Sequence, residues 1–215
     1  MAVAHHAVEF HVSSPTTPCD ASQRRTVNAA TAAIGRIPNG TAAIRAARRG
    51  EPEGWDWLFN RYNRLVLRYV MSRLGDADLA EDVSQDVFVA AVGAVRKLRD
   101  DSETGIEGWL LGIARHKVAD RQRGLMRDRA RSGVIVEDAH DAAEIAVDRI
   151  SAGELRAAIE QLPATQREVI IRRFVLDQPL EQVAATTNRR LGAVKSMQHR
   201  ALRSLERVFA RSSDD

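Results

Sequence analysis

The stretch from Leu191 to Val208 constrains this chain more than any other. In Leu-Gly-Ala-Val-Lys-Ser-Met-Gln-His-Arg-Ala-Leu-Arg-Ser-Leu-Glu-Arg-Val, the apolar residues Val194, Met197, Ala201, Leu205 and Val208 recur at three- and four-residue steps. That spacing places them on one face of a helix. Lys195, Ser196, His199, Arg200, Arg203 and Arg207 fall on the other side, mostly basic and all able to hydrogen-bond. Just upstream, Leu180-Glu-Gln-Val-Ala-Ala-Thr-Thr-Asn188 reads as a short helix followed by a polar turn. A short amphipathic helix, a turn and a helix with a basic outward face form a helix-turn-helix. A major groove admits one helix and displays acceptors that Arg and Lys can read.

The charge distribution extends this reading. The net charge is only +3, but Arg115 to Arg131 carries seven Lys or Arg against two Asp, and Arg189 to Arg207 carries six against one Glu. Between them, Ser132 to Asp148 holds five acids and no Lys or Arg. Two basic blocks around an acidic connector point to two separate contacts with a polyanion rather than to one solvated helix face. The rest of the composition is that of a globular, soluble chain, with 44% apolar and 28% charged residues. No run has the length of an apolar membrane span and no secretion signal is evident, so no membrane is expected and the expected location is cytoplasmic. Cys19 stands alone, so neither an internal disulfide nor a thiolate-rich zinc site is expected.

Along the chain, residues 1–38 lack sustained periodicity and are rich in Ala, Ser, Thr and Pro, which reads as a disordered extension. Helical periodicity starts near Gly40, where Thr41 can cap a short helix that Gly50-Glu-Pro ends. A long helix follows with Leu58, Tyr62, Leu65, Val66, Tyr69 and Val70, stopped by Gly75. Asp76 or Asp78 caps the next, with a buried stripe predicted at Leu79, Val83, Val87, Ala90, Ala94 and Leu98. Arg99 to Gly105 reads as a polar loop, and Glu107 to about Arg123 as a third long helix. Nowhere does the two-residue rhythm of a strand appear. The expected fold is all-α, with two small helical domains at residues 39–124 and 149–210. A flexible acidic linker at 125–148 joins them, and the second domain carries the helix-turn-helix. There, Leu155, Ile159 and Leu162 are assigned to one helix, Val169, Ile170 and Phe174 to the next, and Asp177-Gln-Pro179 to a break.

Three segments, in this order, resemble a known family. Asp78-Leu-Ala-Glu-Asp-Val-Ser-Gln-Asp-Val-Phe88 and Gly108-Trp-Leu-Leu-Gly-Ile-Ala-Arg-His-Lys-Val-Ala-Asp-Arg121 resemble the promoter-melting domain of extracytoplasmic-function (ECF) sigma factors of bacterial RNA polymerase. Leu162-Pro-Ala-Thr-Gln-Arg-Glu-Val-Ile-Ile-Arg172, with the helix-turn-helix, resembles that family's domain for the −35 promoter element. The resemblance covers about residues 41–210, and the wording Gly192-Ala-Val-Lys-Ser-Met-Gln-His-Arg-Ala201 is closest to actinobacterial members.

The resemblance implies a protein that binds core RNA polymerase and promoter DNA, has no catalysis or cofactor of its own, and in some members answers to an anti-sigma factor. It assigns Asp82, Gln85 and Asp86 to the polymerase clamp helices, and their position off the Val83–Val87 stripe independently leaves them available to a partner. It assigns the third helix to the −10 element and an extruded base. Arg115, His116, Lys117, Asp120, Arg121 and Arg123 are candidates there, the cations to neutralise phosphates. His116 stands where many relatives carry Asn, and Leu98 and Ile106 stand where relatives often carry stacking aromatics. Lys195, Ser196, His199, Arg200 and Arg203 are the candidates for the −35 element.

Other classes fit less of the chain. His116 and Asp120 stand one turn apart and could be half of a metal or acid–base site, but no converging ligand, nucleophile or glycine cradle accompanies them. A helix-turn-helix regulator acting without core polymerase would explain the second domain and leave the first one idle.

Overall fold

The computed structural model describes residues 37–132 and 152–212. Most of the expected extension at 1–38 and most of the acidic linker therefore lie outside the described residues. Every regular element among the described residues is helical.

Helix α1 (Gly40–Arg48) is capped by Asn39, whose side chain accepts from the Ala42 N–H at 2.9 Å. Thr41, the expected cap, instead donates its hydroxyl to the Asp101 carbonyl at 2.8 Å and ties α1 to the loop before the third long helix. Helix α2 (Pro52–Leu74) places proline in its first turn, where a missing N–H costs nothing, and ends on Gly75 at φ 72°. Helix α3 (Ala77–Ala94) is capped by Asp76, which accepts from Leu79 N–H at 2.9 Å, so the choice between Asp76 and Asp78 falls to the former. Asp76→Ala is expected to cost about 1 kcal/mol, read as a lower urea midpoint with an unchanged slope; a shift under a tenth of that would mean the cap is redundant.

The buried stripe of α3 is rotated from the predicted one. Ala80, Val83, Ser84, Val87, Phe88 and Ala91 face inward, while Leu79 and Ala90 are only half-buried. A short 3₁₀ turn (Val95–Lys97) then carries Val95 and Leu98 into the core. Helix α4 runs from Glu103 to Ser132, four residues earlier and about nine later than predicted. Gly124 does not stop it; a Cβ there would meet nothing within 4 Å. The first eight residues assigned to the linker, 125–132, are thus helical. Tyr69, Leu58, Val66, Val87, Ile106, Leu110, Leu111 and Val118, all nearly or fully buried, form the core of this four-helix unit.

The second unit comprises α5 (Ala152–Gln161), α6 (Ala164–Ile170), a π-helical turn (Ile171–Val175), α7 (Leu180–Thr186) and α8 (Leu191–Ser212). Ala158, Leu162, Ile170, Ala201 and Leu205 pack on one side of α8, and Val169, Val183, Ala184, Val194 and Met197 near its start. Leu162 lies just past the end of α5, and Leu155, assigned to the same helix, is exposed. Phe174, expected to pack inward, is also exposed. The widened turn, closed by Leu176 N–H to the Ile171 carbonyl at 3.0 Å, displaces it from the stripe. Asp177 at φ 56° and Pro179 then break the chain before α7 as expected.

The two units pack on one another. Ile171 and Leu176 of the second join the core of the first. Arg73, 8% exposed, donates from Nε to Glu160 Oε1 at 2.5 Å, and the Tyr69 hydroxyl donates to Glu168 Oε2 at 2.8 Å.

Candidate functional site

Three surfaces carry the residues singled out from sequence, and the helices decide how each set is presented. On α3, Asp82, Gln85 and Asp86 are all exposed and share the face opposite Val83 and Val87. Asp86 also lies 3.9 Å from Lys117 Nζ on α4, so one acid of this face is shared with a candidate DNA contact. Val89 and Val92, 70% and 56% exposed, continue along the outer side of α3. These apolar companions were missed from sequence; their spacing from Gln85 and Asp86, one to two turns on and off the buried stripe, is the signal that marks them.

On α4 the six candidates do not form one face. His116, Asp120 and Arg123 stand within two turns on the exposed side, and Asp120 is ion-paired to Arg123. Among the described residues no group of three or more His, Cys, Asp or Glu is placed to hold a metal ion. Arg115 and Lys117 flank this strip on opposite sides, Lys117 toward α3 and Arg115 toward the second unit, while Arg121 is exposed beyond the core. Leu98 and Ile106, where stacking aromatics were in question, are both core residues at 8% and 0% exposure, and cannot stack on a base as they stand. Trp109 is half-buried and packs against the core, as its apolar spacing predicts.

On α8 the five candidates do form one face. Val194, Met197, Ala201 and Leu205 are buried, and Lys195, Ser196, His199, Arg200 and Arg203 are exposed opposite them. Ser196 spends its hydroxyl proton on the Gly192 carbonyl at 3.0 Å, which leaves its oxygen lone pairs outward. Arg189 and Arg190, exposed in the turn that leads into α8, extend this basic surface and were counted in the basic block without being assigned a contact. Asn188 turns the chain there at φ 52°, a left-handed conformation that asparagine tolerates.

The turn is held from below by charge. Arg172, 3% exposed, donates from Nε to Glu168 Oε1 at 2.6 Å and from Nη1 to Thr186 Oγ1 at 3.0 Å. Glu107 of α4 accepts from the Gln182 side chain at 2.9 Å and from Gln178. Burial pushes the Glu107 carboxyl above its ordinary range, against the pull of Arg172 and the Gln182 bond. These polar anchors fix α7 and its turn relative to α6 and α4.

Two family models match this chain. Sigma-70 region 2 covers residues 58–131, which is most of α2 through α4, and Sigma-70 region 4 covers residues 152–205, from α5 into α8. The ECF RNA polymerase sigma factor SigD of Mycobacterium tuberculosis (strain H37Rv) is 32% identical over 181 residues, 80% of this chain and 85% of SigD. This chain belongs to the ECF RNA polymerase sigma factors. ShbA of Streptomyces griseus, another member, is 31% identical over 76% of this chain and 92% of its own length. The solved structure of CnrH in complex with the cytosolic domain of CnrY shares the fold, with a TM-score of 0.58 at 21% identity, over 80% of this chain and 97% of that one. A Bartonella quintana RpoE structure, in complex with the anti-sigma factor NepR, has a TM-score of 0.50 at 24% identity over 71% of this chain and 94% of that one. As an ECF sigma factor the protein directs promoter-specific transcription initiation, through region 2 and region 4 domains that bind core RNA polymerase and promoter DNA.

Proposed function

We propose how this sigma factor divides that task among its residues. The first domain, from residue 39 to the end of α4, docks on the polymerase clamp helices through Asp82, Gln85 and Asp86. Through Arg115, His116, Lys117, Arg121 and Arg123 it reads and helps open the −10 element, with Asp120 orienting Arg123. The domain from about residue 149 to 210 reads the −35 element through Lys195, Ser196, His199, Arg200 and Arg203. The protein catalyses nothing itself, works in the cytoplasm, and an anti-sigma factor is its expected antagonist. Among the described residues no helix is long and apolar enough to cross a membrane.

The single observation that carries this reading is the split character of α8. One side is fully committed to the core while five candidate contacts, four of them nitrogen donors, stand exposed together on the other. A helix that lies in a major groove needs that division. Arg200, at the middle of the exposed face, is the candidate for a guanine, which offers two acceptors to a bidentate guanidinium. Lys195, nearer the helix start, is placed to hold a phosphate and fix register without reading sequence.

Run-off transcription with purified core polymerase tests both roles. Arg200→Ala is expected to relax preference at one base pair of the −35 element by about 1–3 kcal/mol. Lys195→Ala should weaken all promoters about equally. An unchanged ratio between matched and mismatched −35 elements in Arg200→Ala would remove the base-reading role. A helix-turn-helix regulator that acts alone would instead show salt-dependent duplex binding by the free chain and no response to core polymerase.

A further inference from the structure

We propose that the cleft between α4 and the turn after α7 is a binding site for a small anion with two adjacent phosphates, free or carried on a nucleoside. Nothing in the promoter-reading roles above requires such a site, and it is independent of which bases the chain reads.

The cleft has a volume of about 200 Å³. Gly108, Gly112 and Arg115 line it from α4, four and then three residues apart and so on one helical face. At Gly108 the walls meet, since a Cβ there would come within 2.9 Å of the Thr186 carbonyl oxygen. One turn on, a Cβ at Gly112 would meet nothing within 4 Å, and Arg115 follows after another turn. The walls therefore diverge over about 10 Å of α4, seven residues of helical rise. A cleft with one closed end suits a small molecule rather than a continuous strand.

Its hydrogen-bonding capacity is that of an anion site. Glu168 is the one carboxylate among the lining residues, and both of its oxygens are taken, Oε1 by Arg172 and Oε2 by the Tyr69 hydroxyl. Thr187 gives its hydroxyl proton to the Val183 carbonyl at 2.6 Å, and Thr186 gives its own to the Gln182 carbonyl at 2.8 Å. The Arg115 and Arg189 guanidiniums and the Thr165 hydroxyl, which also line the cleft, make no hydrogen bond or ion pair among the described residues. Donors are thus idle where acceptors are used up. With Arg172 set against Glu168, the two remaining cations are uncompensated, and they approach the cleft from different elements, Arg115 from α4 and Arg189 from the turn. A guanidinium matches one phosphate bidentately, so two of them fit two phosphates, and a single phosphate leaves one idle.

Isothermal titration calorimetry of the free full-length chain, at fixed ionic strength, tests the site. Pyrophosphate is expected to bind with one-to-one stoichiometry and about tenfold more tightly than orthophosphate, the gain from a second charge-assisted contact. ADP binding more tightly than pyrophosphate identifies a nucleoside carrier, and equal affinity identifies the free diphosphate; either supports the site. Arg115→Gln and Arg189→Gln should each weaken pyrophosphate by roughly fivefold or more. Arg96→Gln, which removes an exposed cation outside the cleft, should leave it nearly unchanged. Gly112→Leu keeps every charge and fills the open space, and leucine favours a helix more than glycine does, so folding is not at risk. It should weaken pyrophosphate by about tenfold or more through lost contacts to both guanidiniums. Affinity that survives Gly112→Leu, or that Arg96→Gln lowers as much as Arg189→Gln does, is diffuse attraction to a basic surface and overturns the site. So does orthophosphate that binds as tightly as pyrophosphate, or pyrophosphate that does not bind.

Discussion

Glu168→Ala is expected to lower the free energy of unfolding by about 3–5 kcal/mol, the cost of leaving a buried charge without its partner. Arg172 is 3% exposed and ion-paired to Glu168; the bond to Thr186 Oγ1 satisfies one donor of five. The same carboxylate accepts from the Tyr69 hydroxyl, so its loss also strands a second buried donor. In a domain of this size, a change of that order lowers the thermal midpoint by roughly 6–20 °C. Glu168→Gln keeps one acceptor, for Arg172 or for the Tyr69 hydroxyl, and should cost about half as much. A Glu168→Ala midpoint within 2–3 °C of the parent would mean that water reaches Arg172 and that the network is not what holds the helix-turn-helix in place.

The second large effect is on partner binding. Asp82→Lys with Asp86→Lys should weaken the affinity for core polymerase by one to two orders of magnitude. Each exposed pair contributes only about 0.2–1 kcal/mol, but reversal replaces two attractions by two repulsions of similar size. The exposed Val89 and Val92 beside this face are left intact, so the variant isolates charge from apolar contact. Fold is little at risk, because among the described residues the one ion pair it removes is the 3.9 Å contact of Asp86 with Lys117. Affinity within twofold of the parent, measured by titration with labelled chain, would move the docking surface elsewhere.

What could be read from sequence was whatever depends on near neighbours. The α8 face followed from spacing alone, because one helix packed on a single core imposes the three- and four-residue rhythm. Gly75 and Asp76, which act on their own turn, were legible for the same reason. The failures are non-local. The α3 stripe turns toward Phe88 because α2 offers Phe59 as an edge-on partner, with ring centroids 4.9 Å apart, and nothing near Phe88 in sequence announces it. Asn39 displaced Thr41 as a cap because Asp101, 60 residues away, claims the threonine hydroxyl. The end predicted for the third helix at about Arg123 falls short because Gly124, half-buried in the helix, costs only about 1 kcal/mol and does not stop it. The pairing of Tyr69 with Glu168 and of Glu107 with Gln182 had no sequence signal at all.

The length of α4 has a consequence for reach. Val118 is its last buried residue, and Ser132 ends it fourteen residues later. Gln122, bonded to Arg73, and the half-buried Leu125 keep the next two turns against the bundle, so about 10 Å of helix, from Met126 on, runs beyond them at about 1.5 Å per residue. That stretch sets where the chain leaves the first unit and in which direction. With about 3.6 residues per turn, one residue inserted near Met126 would shift the launch point by only about 1.5 Å but swing its bearing through more than a quarter of a circle. Spacing along this segment is therefore under angular control: adding or removing three or four residues preserves the aim, whereas adding one or two redirects it.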